Sequence, residues 1–323
     1  SGSRPVPRDT WAARRHGELA AKWGRNGLAP FLANPGVEVV DLLGGSAASG
    51  YARRRRWAVT PGDVVAPPEL AEVALSAYLD VISRRRLRPV FLAVSDPVPY
   101  RRRSFDLTHV ADEAIIDLPS FGLSGSRRSS IRHSTTSARQ AGLLVAPYQP
   151  GHSAQLADIS REWLSTKRGG ELGFTLSRYD DVAGQLADQS ADLWVAIDTS
   201  GVVQAWCTWR PYLDGQGRVL DVMRRRKTAP NPAMDSLIVT VLERYRDAGL
   251  SEASLACVPR ERGALAERVY PCRSLRAYKQ KFAPRWEPRW LAVPEPRQRL
   301  FALAAVCGAY CPGGMRRAVL HNH

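Results

Sequence analysis

The sequence predicts an α/β (α+β) protein in which one local pattern of elements occurs twice. In the first copy, residues 69–82 carry apolar side chains at helical spacing, and the apolar run 89–94 has the length of a strand. In the second copy, the strand-like run 218–223 precedes a helical pattern that ends at Gly249, and residues 252–258 resemble another strand. A basic turn and a proline-rich loop precede the helix in both copies. The repeat is too long for a solenoid, so it indicates two related domains.

The composition limits the kinds of partner that the protein has. The chain has 323 residues, with 46 Lys and Arg against 31 Asp and Glu, which gives a net charge of +15. A length of this size suits two domains. The positive excess indicates an anionic partner, either nucleic acid or an acidic membrane surface, and a solvated basic surface without a partner is the alternative. No apolar run is long enough to span a bilayer.

The cysteines favour a reducing compartment over a disulfide framework. There are five of them, an odd number, and none forms a CxxC pair. Cys307 and Cys311 share a helical spacing, but no cluster of His or acidic residues accompanies them. We interpret them as small apolar residues, and we expect neither a metal ion nor a cofactor.

The pattern along the chain predicts where the domains divide. We place a first domain at residues 1–122, a basic helical connector at 123–143, a second domain at 144–296, and a C-terminal helix with a basic tail at 297–323. The connector has too little apolar content for a core helix. It is either a surface linker or one wall of an anion-binding groove. The apolar part of the last segment either packs on the domain or lies on a membrane interface, and we favour packing.

The stretch at residues 278–290 combines aromatic and basic side chains. Tyr278, Phe282, Trp286 and Trp290 recur at every fourth position, which is the spacing of one helix face. Pro284 and the second proline four residues later end any helix, so the stretch predicts a helix that runs into a strand. Core packing accounts for most of the rings, whereas the cations between them need another explanation.

Four segments together resemble a known family. They are VADEAIIDL (110–118), WLSTKRGGELGFTLSRYDD (163–181), VLDVMRRRKTAPNPAMDSLI (219–238) and YKQKFAPRWEPRWLAV (278–293). In this order they resemble the cytosolic catalytic domain of the phosphatidylglycerol lysyltransferase family, also called multiple peptide resistance factors. The resemblance implies a tandem GNAT-like acyltransferase fold, with two mixed sheets flanked by helices and joined by the basic connector.

The resemblance also implies an activity and a place in the cell. Members of this family move an amino acid, lysine or alanine, from aminoacyl-tRNA onto the glycerol hydroxyl of an anionic phospholipid such as phosphatidylglycerol. The expected partners are therefore aminoacyl-tRNA and an anionic phospholipid at the cytoplasmic face of the bacterial cell membrane. A multi-helix membrane domain usually precedes the catalytic domain in the family. The oligomeric state stays open.

The loop that follows the strand at 218–223 argues against an acyl-CoA donor. A GNAT fold holds the pyrophosphate of acetyl-CoA on backbone N–H groups of a glycine-rich loop at the start of a helix. Here the loop RRRKTAPNPA contains no glycine, whereas the family commonly has glycine at position 232. We expect Asn231 to cap the helix and Pro232 to take its first position, where proline offers no N–H.

The resemblance and the chemistry of ester transfer select candidate catalytic residues. Such a site must hold an α-ammonium group, orient a hydroxyl and stabilise an oxyanion. Asp221 and Arg224 lie in the LDxMR motif of the family, where they either face a cleft between the domains or form a structural ion pair. Lys281 is a further catalytic candidate. Glu287, an acid in a basic run, pairs either with the substrate ammonium or with Arg289.

The remaining candidates are binding residues. The cations near these motifs are expected to contact the phosphates of the lipid headgroup and of the tRNA acceptor end. A terminal adenine could also stack on an exposed ring. Lys167 and Glu171 lie in a glycine-containing loop that resembles the acceptor side of the family. The expected tRNA or phosphate ligands are Arg225, Arg226, Lys279, Arg289, Arg128 and Arg132.

Three other functions remain open from the sequence. A transferase could use the same aminoacyl-tRNA donor with a soluble small-molecule acceptor. A conventional acyl-CoA acetyltransferase is disfavoured by the glycine-free loop. A basic tRNA-binding module without catalysis is the third possibility, and it would show no transfer that depends on Asp221.

Overall fold

The computed structural model describes residues 10–166, 172–187, 190–260 and 272–310. Within these residues the strands form one 11-stranded sheet with the order β1-β2-β3-β4-β11-β5-β10-β9-β8-β7-β6. The strands are β1 (Glu38–Leu42), β2 (Ala47–Arg54), β3 (Trp57–Pro61), β4 (Arg88–Val94), β5 (Asp106–Asp117), β6 (Leu144–Pro147), β7 (Asp192–Ile197), β8 (Val203–Tyr212), β9 (Gly217–Arg225), β10 (Glu252–Pro259) and β11 (Arg285–Val293).

Helices cover both faces of this sheet, and short 3-10 turns connect several elements. The helices are α1 (Thr10–Trp23), α2 (Ala71–Arg84), α3 (Val98–Arg102), α4 (Ser129–Gln140), α5 (Ser153–Ser165), α6 (Tyr179–Ala187), α7 (Ala233–Asp247), α8 (Cys272–Gln280) and α9 (Arg299–Tyr310). Among the described residues, no helix combines the length and the apolar character that a bilayer crossing requires.

The α/β class is confirmed, but the expectation of two separate sheets is wrong. Strand β11 lies between β4 and β5, and β5 pairs with β10, so each half of the chain gives a strand to the other half. The antiparallel ladder between β5 and β11 runs from the pair Arg285–Ile115 to the pair Val293–Asp106. An unpaired strand edge exposes backbone N–H and C=O groups. The exchanged strands β5 and β11 pair with the strands at the inner edges of the two halves, and the two halves thereby form one sheet.

The domain boundaries remain a prediction. Strand β11 belongs to the expected segment 144–296, yet it pairs with strands of the segment 1–122. The connector forms the expected helix α4. Its Ile131, Thr135 and Ala138 are buried, and the helix packs against α7. One narrow apolar stripe is therefore enough to attach an otherwise polar helix.

The two faces of the sheet carry different cores. The α7 face, which α2, α4, α7 and α8 cover, contains Trp209, Leu237 and Phe282 in one cluster and Tyr78 and Phe91 in another. The α5 face is covered by α1, α5, α6 and α9. Polar side chains interrupt the core on the α5 face at two places, the centre of the sheet and the bulged strand β9. These interruptions position the candidate site.

The repeated strand, helix and parallel strand are present in both halves. Helix α2 connects β3 to the parallel strand β4, and α7 connects β9 to the parallel strand β10. In α2 the residues Ala74, Leu75, Tyr78 and Ile82 are buried, whereas Val73 is exposed. The predicted helix that runs into a strand at 278–290 is confirmed by α8 and β11.

The start of α7 differs by one residue from the prediction. Pro232 is the N-cap rather than the first helical residue, and no side chain caps the helix, so Asn231 does not have the expected role. Pro232 already has helical dihedral angles, and its carbonyl oxygen accepts a hydrogen bond from the Ser236 N–H at 2.9 Å. The fixed φ of proline therefore begins the helix without a capping side chain.

The C-terminal helix α9 packs on the protein, as expected. Ala302, Ala305, Val306 and Ala309 are buried against the core that includes β2 and β3. At its last turn, Arg54 Nε donates to the Gly308 carbonyl oxygen at 2.7 Å. This contact joins the end of α9 to the turn between β2 and β3.

A buried ion pair lies at the centre of the sheet. Glu113 on β5 is 0% exposed and Arg289 on β11 is 3% exposed, and Arg289 Nε donates to Glu113 Oε2 at 2.7 Å. The other carboxylate oxygen accepts from the Gly27 N–H at 3.0 Å and the Ser254 hydroxyl at 2.5 Å. Burial acts to lower the pKa of Arg289, but the contributions of Glu113, Cys257 and Glu287 together outweigh it and raise that pKa above its ordinary value.

We predict that Arg289→Met lowers the free energy of unfolding by about 3–5 kcal/mol, because it leaves a buried carboxylate without its counter-charge. Urea denaturation measures the loss. The control is Arg161→Met, which removes an exposed pair with Asp158 and costs about 1 kcal/mol or less. A loss no larger than that of the control would contradict the importance of the buried pair. The loss in Glu113→Gln/Arg289→Met should be smaller than the sum of the single losses.

Candidate functional site

A bulge in β9 directs Asp221 and Arg224 to the same face. Cys207 pairs with Met223 and Trp209 pairs with Leu220, so Asp221 and its successor together lie opposite Thr208. In a regular strand, residues three apart point to opposite faces. The extra residue removes one alternation, and both side chains therefore lie on the α5 face. The two charged residues of the LDxMR motif therefore lie on one side of the sheet because of a bulge, and not because of regular alternation.

Asp221 is half-buried, and its two carboxylate oxygens have different environments. Its Oδ1 accepts a hydrogen bond from the Ser177 N–H at 3.0 Å. Its Oδ2 is buried and has no hydrogen-bond partner among the described residues. Burial raises the pKa of Asp221 above its ordinary value, although the nearby Arg210 charge and the Ser177 contacts act in the opposite direction. A carboxylate oxygen in this position can accept a hydrogen bond from an ammonium group.

The first half of the chain contributes to the same site. Arg210 on β8 is buried, and one of its terminal nitrogens donates to Asn34 Oδ1 at 2.7 Å. The Asn34 amide nitrogen donates to the Phe174 carbonyl oxygen at 2.9 Å. The guanidinium also lies 5.4 Å from the ring centroid of Phe31. Residues from the N-terminal segment therefore position the cation that lies near Asp221.

Three residues of this site were not predicted from the sequence: Arg210, Asn34 and Ser177. A weak signal existed for Arg210, because it is the charged residue of strand β8, in which most side chains are apolar or aromatic. Ser177 lies in one of the segments that carried the family resemblance. Asn34 gave no signal, since its role depends on contacts between distant parts of the chain.

Arg224 is enclosed by aromatic side chains. Its guanidinium carbon lies 4.6 Å from the ring centroid of Trp163 and 5.7 Å from that of Trp206, and the residue is buried. Contacts of a guanidinium with ring faces fix its plane and stabilise its charge. Trp163 lies in the last turn of α5, shortly before the loop that was expected to bind the acceptor.

Lys281 lies near the start of α7. Its Nζ is 3.2 Å from Asp235 Oδ2, in the first turn of that helix, and 5.1 Å from the ring centroid of Tyr278. Burial raises the pKa of Tyr278 well above its ordinary value, and the Asp235 charge adds to this effect. Lys281 is partly exposed. It is on the α7 side of the sheet, whereas Asp221 and Arg224 are on the α5 side.

An opening in the sheet separates these two groups. Strands β9 and β10 pair only between Gly217–Val219 and Glu252–Ser254. Beyond these residues both strands continue without a shared ladder, and β10 has a bulge at which Ala256 takes a φ of 64°. Ligands of open α/β sheets commonly bind beyond the carboxyl ends of parallel strands. The opening is therefore the place where a substrate could contact residues from both faces.

Glu287 forms protein ion pairs in this structure. Its carboxylate oxygens lie 2.7 Å from an Arg285 nitrogen and 3.0 Å from an Arg289 nitrogen. Burial acts to raise the pKa of Glu287, but hydrogen bonds from the two arginines outweigh it and lower that pKa. Of the two alternatives that the sequence left open, the structure contains the pairing with Arg289.

The structure corrects the expectation for two phosphate candidates, Lys279 and Arg289, because both are buried and bonded to protein groups. Lys279 Nζ donates to the carbonyl oxygens of Ala256 and Cys257 at 3.0 and 3.1 Å, and burial lowers its pKa to about 8. Lys279 therefore stabilises the bulge in β10.

Three further candidates donate to backbone carbonyl groups. Arg128 donates to the Gly122 oxygen at 2.9 Å, Arg132 donates to the Leu123 oxygen at 2.6 Å, and Arg226 donates to the Val203 oxygen at 2.7 Å. In each case the contact uses some of the N–H groups of the guanidinium.

Arg225 is exposed at the end of β9. Lys167 and Glu171 lie outside the described residues. Across the ranges that the structure describes, no group of three or more His, Cys, Asp and Glu side chains could hold a metal ion.

The parting of β9 and β10, together with the strand–helix–strand unit in each half, places the protein in the GNAT-like class of α/β folds. The family model described as phosphatidylglycerol lysyltransferase, C-terminal, matches residues 18–293. The chain belongs to this family, as the sequence motifs indicated.

Known relatives are longer than this chain. A phosphatidylglycerol lysyltransferase of Bacillus subtilis (strain 168) is 24% identical over 306 residues, which cover 84% of this chain and 35% of that protein. A lysylphosphatidylglycerol biosynthesis bifunctional protein LysX of Mycobacterium ulcerans is 25% identical over 297 residues, which cover 84% of this chain and 26% of that protein. The chain thus spans about a third or less of the length of these relatives.

Solved structures support the fold. A C-terminal domain from Agrobacterium fabrum has a TM-score of 0.82 at 21% identity and covers 95% of this chain and 99% of its own. The L-PGS structure from Bacillus licheniformis has a TM-score of 0.81 at 22% identity and covers 96% of this chain and 98% of its own. Both solved structures therefore share the overall fold of this chain.

We predict that Asp221→Asn stabilises the protein at neutral pH. The pKa of Asp221 is raised in the folded state above the unfolded value of 3.8. The folded protein therefore loses stability as pH rises above 3.8, because this carboxyl ionises less readily in the folded state than in the unfolded state. Removing the ionised form should increase the free energy of unfolding at pH 7 by about 0.5–2 kcal/mol, and the gain should vanish near pH 3. Urea denaturation between about pH 3 and pH 7 measures this change in the free energy of unfolding.

Asp198→Asn is the matched control. The pKa of Asp198 is lowered to about 2, chiefly by the Ser200 hydroxyl, so its contribution is present at neutral pH and lost as pH falls. This control should therefore destabilise the protein at pH 7. A loss of stability in Asp221→Asn at pH 7 would contradict the described environment of Asp221.

Proposed function

We propose that this protein transfers an aminoacyl group, lysine or alanine, from aminoacyl-tRNA to the glycerol hydroxyl of an anionic phospholipid of the phosphatidylglycerol type. The observation that carries the proposal is the Asp221 carboxylate, which presents one buried oxygen beside an opening flanked by Arg224 and Lys281. Membership of the phosphatidylglycerol lysyltransferase family supports the same reaction.

The reaction needs no activating step at the enzyme. The lipid hydroxyl oxygen attacks the ester carbon of the aminoacyl-tRNA, and a new C–O bond forms. The bond to the ribose oxygen of the tRNA breaks, the attacking hydroxyl gives up its proton, and the leaving ribose oxygen takes up one proton, so that no net proton is released. The donor is already an ester, so the exchange consumes neither ATP nor a redox partner. The protein has to position both reactants and stabilise the charge on the carbonyl oxygen.

We assign different tasks to the charged residues. Asp221 Oδ2 accepts a hydrogen bond from the α-ammonium group of the amino acid, and this contact fixes the position of the ester carbon. Lys281 is the cation that we assign to the oxyanion, because it is partly exposed. The guanidinium of Arg224 is enclosed by Trp163 and Trp206, so it sets the local potential rather than moving onto substrate.

The loop between β9 and α7 favours this donor over acyl-CoA. It contains no glycine between Arg226 and Pro232, and the N-cap of the helix is a proline. A pyrophosphate cradle needs several backbone N–H groups at the start of a helix, and proline removes one of them. The exposed cation Arg225 lies at the same end of β9 and suits the phosphates of an RNA acceptor end.

The net charge of +15 supports binding to tRNA and to an anionic membrane. We place the reaction at the cytoplasmic face of the bacterial membrane, where charged tRNA and phospholipid meet. The transfer of an amino acid to a lipid headgroup would add positive charge to that surface.

The direct test uses radiolabelled lysyl-tRNA and alanyl-tRNA with phosphatidylglycerol vesicles, followed by chromatography of the extracted lipids. The wild type should move label into the lipid fraction, and Asp221→Asn should reduce the rate by about 100-fold or more. Asp198→Asn, which removes an exposed carboxylate, is the control and should keep the wild-type rate. Label that remains in the aqueous products would reject the lipid acceptor and favour a soluble one.

A second prediction concerns the contribution of Arg225 to tRNA binding. Arg225→Ala should reduce the slope of log affinity against log salt concentration by about 1, because one phosphate contact is lost. Filter binding of tRNA at several salt concentrations measures the slope. Arg244→Ala, an exposed arginine in the last turn of α7, is the control and should leave it unchanged. Equal slopes for Arg225→Ala and the wild type would show that Arg225 does not contact a tRNA phosphate.

A further inference from the structure

The outward face of α9 is apolar along its described length. The helix buries one side against the sheet, but Leu300 is 79% exposed and Phe301 is 69% exposed. Ala304 and Cys307 continue the same exposed side at helical spacing, and no charged residue occurs between Leu300 and Tyr310. We call these four residues, Leu300, Phe301, Ala304 and Cys307, the α9 surface. A helix on the surface of a soluble protein normally has polar residues on its outward face.

Exposed cations lie at both ends of this surface. At the C-terminal end, Arg54 bonds to the Gly308 carbonyl oxygen and thereby holds the β2–β3 turn against the helix. Arg53, Arg55 and Arg56 are exposed in that turn. At the N-terminal end, the Arg297 side chain is largely exposed and forms an ion pair with Glu295.

Arg299 also lies at the N-terminal end of the α9 surface. It forms a two-pronged contact with Asp106 at the start of β5, with distances of 2.7–3.0 Å. This contact fixes the direction in which the helix leaves the sheet. Leu300 and Phe301 are therefore presented on an anchored first turn rather than on a loose end.

We propose that the α9 surface docks on an anionic phospholipid bilayer, with Leu300 and Phe301 inserted at the boundary between headgroups and acyl chains. The arginines of the β2–β3 turn and Arg297 then contact the anionic headgroups. A helix of 12 residues is about 18 Å long. This length is too short to cross a bilayer but suits a helix that lies in the interface.

Charge complementarity favours a bilayer over a second copy of the chain. In a symmetric dimer formed through this surface, the arginine clusters of the two copies would approach one another and repel. An anionic lipid surface accommodates the apolar strip and the flanking cations together. The inference deepens the proposed function, because it gives the orientation in which the protein would meet its lipid acceptor, but docking itself needs no tRNA.

The first test is flotation of the purified protein with vesicles of phosphatidylglycerol and phosphatidylcholine, and with vesicles of phosphatidylcholine alone. The wild type should bind the anionic vesicles, and the double variant Leu300→Ser/Phe301→Ser should lower its partition coefficient by about 10-fold or more. Phe301→Trp should retain binding, since tryptophan is favoured at the membrane interface. Arg55→Glu/Arg297→Glu should weaken binding to the anionic vesicles.

Leu144→Ser is the matched control. Leu144 is 66% exposed on β6, at the opposite edge of the sheet from β1 and β2, so its loss should leave binding unchanged. Wild-type binding by the double variant would overturn the proposal. So would a concentration-dependent dimer, measured by light scattering, that the double variant abolishes, because it would assign the surface to a second copy.

A transfer assay separates this inference from the proposed function. With vesicles as acceptor the double variant should lose activity, whereas with short-chain, freely dissolved phosphatidylglycerol it should keep the wild-type rate. Equal loss with both acceptors would place α9 in the active site instead of at the membrane. Absence of transfer by the wild type would reject the proposed function. The flotation result would still show whether the α9 surface binds a bilayer.

Discussion

The buried pair of Glu113 and Arg289 is the interaction on which the merged sheet depends. It joins β5 of the first half to β11 of the second half, at the point where the two halves exchange strands. Burying two charges is unfavourable unless each is paired and fully hydrogen-bonded. Here the second carboxylate oxygen is also occupied, by the Gly27 N–H and the Ser254 hydroxyl. The pair therefore specifies the register of β5 and β11 and fixes the N-terminal segment to the centre of the sheet.

This constraint extends to the candidate site. A Cβ atom at Gly27 would lie 2.3 Å from the Glu113 carboxylate, so the close approach of this segment requires glycine. The chain then continues to Asn34, which holds Arg210 beside Asp221. The charged groups at the opening between β9 and β10 therefore belong to the second half in sequence, but their positions depend on the first half.

The sequence predicted features that depend on local patterns. Periodicity indicated α2 and α7, and the two prolines indicated the change from α8 to β11. The exchange of β5 and β11 could not be predicted in this way, since it pairs strands from distant parts of the chain. The burial of Lys279 was missed for a similar reason, because its partners arise from a bulge in β10. Glu113 did carry a signal, as an acid within the apolar strand pattern of a segment that resembled the family, and a buried charge needs a partner.

Hydrogen exchange under native conditions at increasing urea tests most directly whether the two halves form one cooperative unit. If the exchanged strands join the halves, the slowest amides of β3 and β4 and those of β8 and β9 should exchange with one common free energy, equal to that of global unfolding. Two separate free energies, with one half exchanging while the other remains protected, would contradict the account.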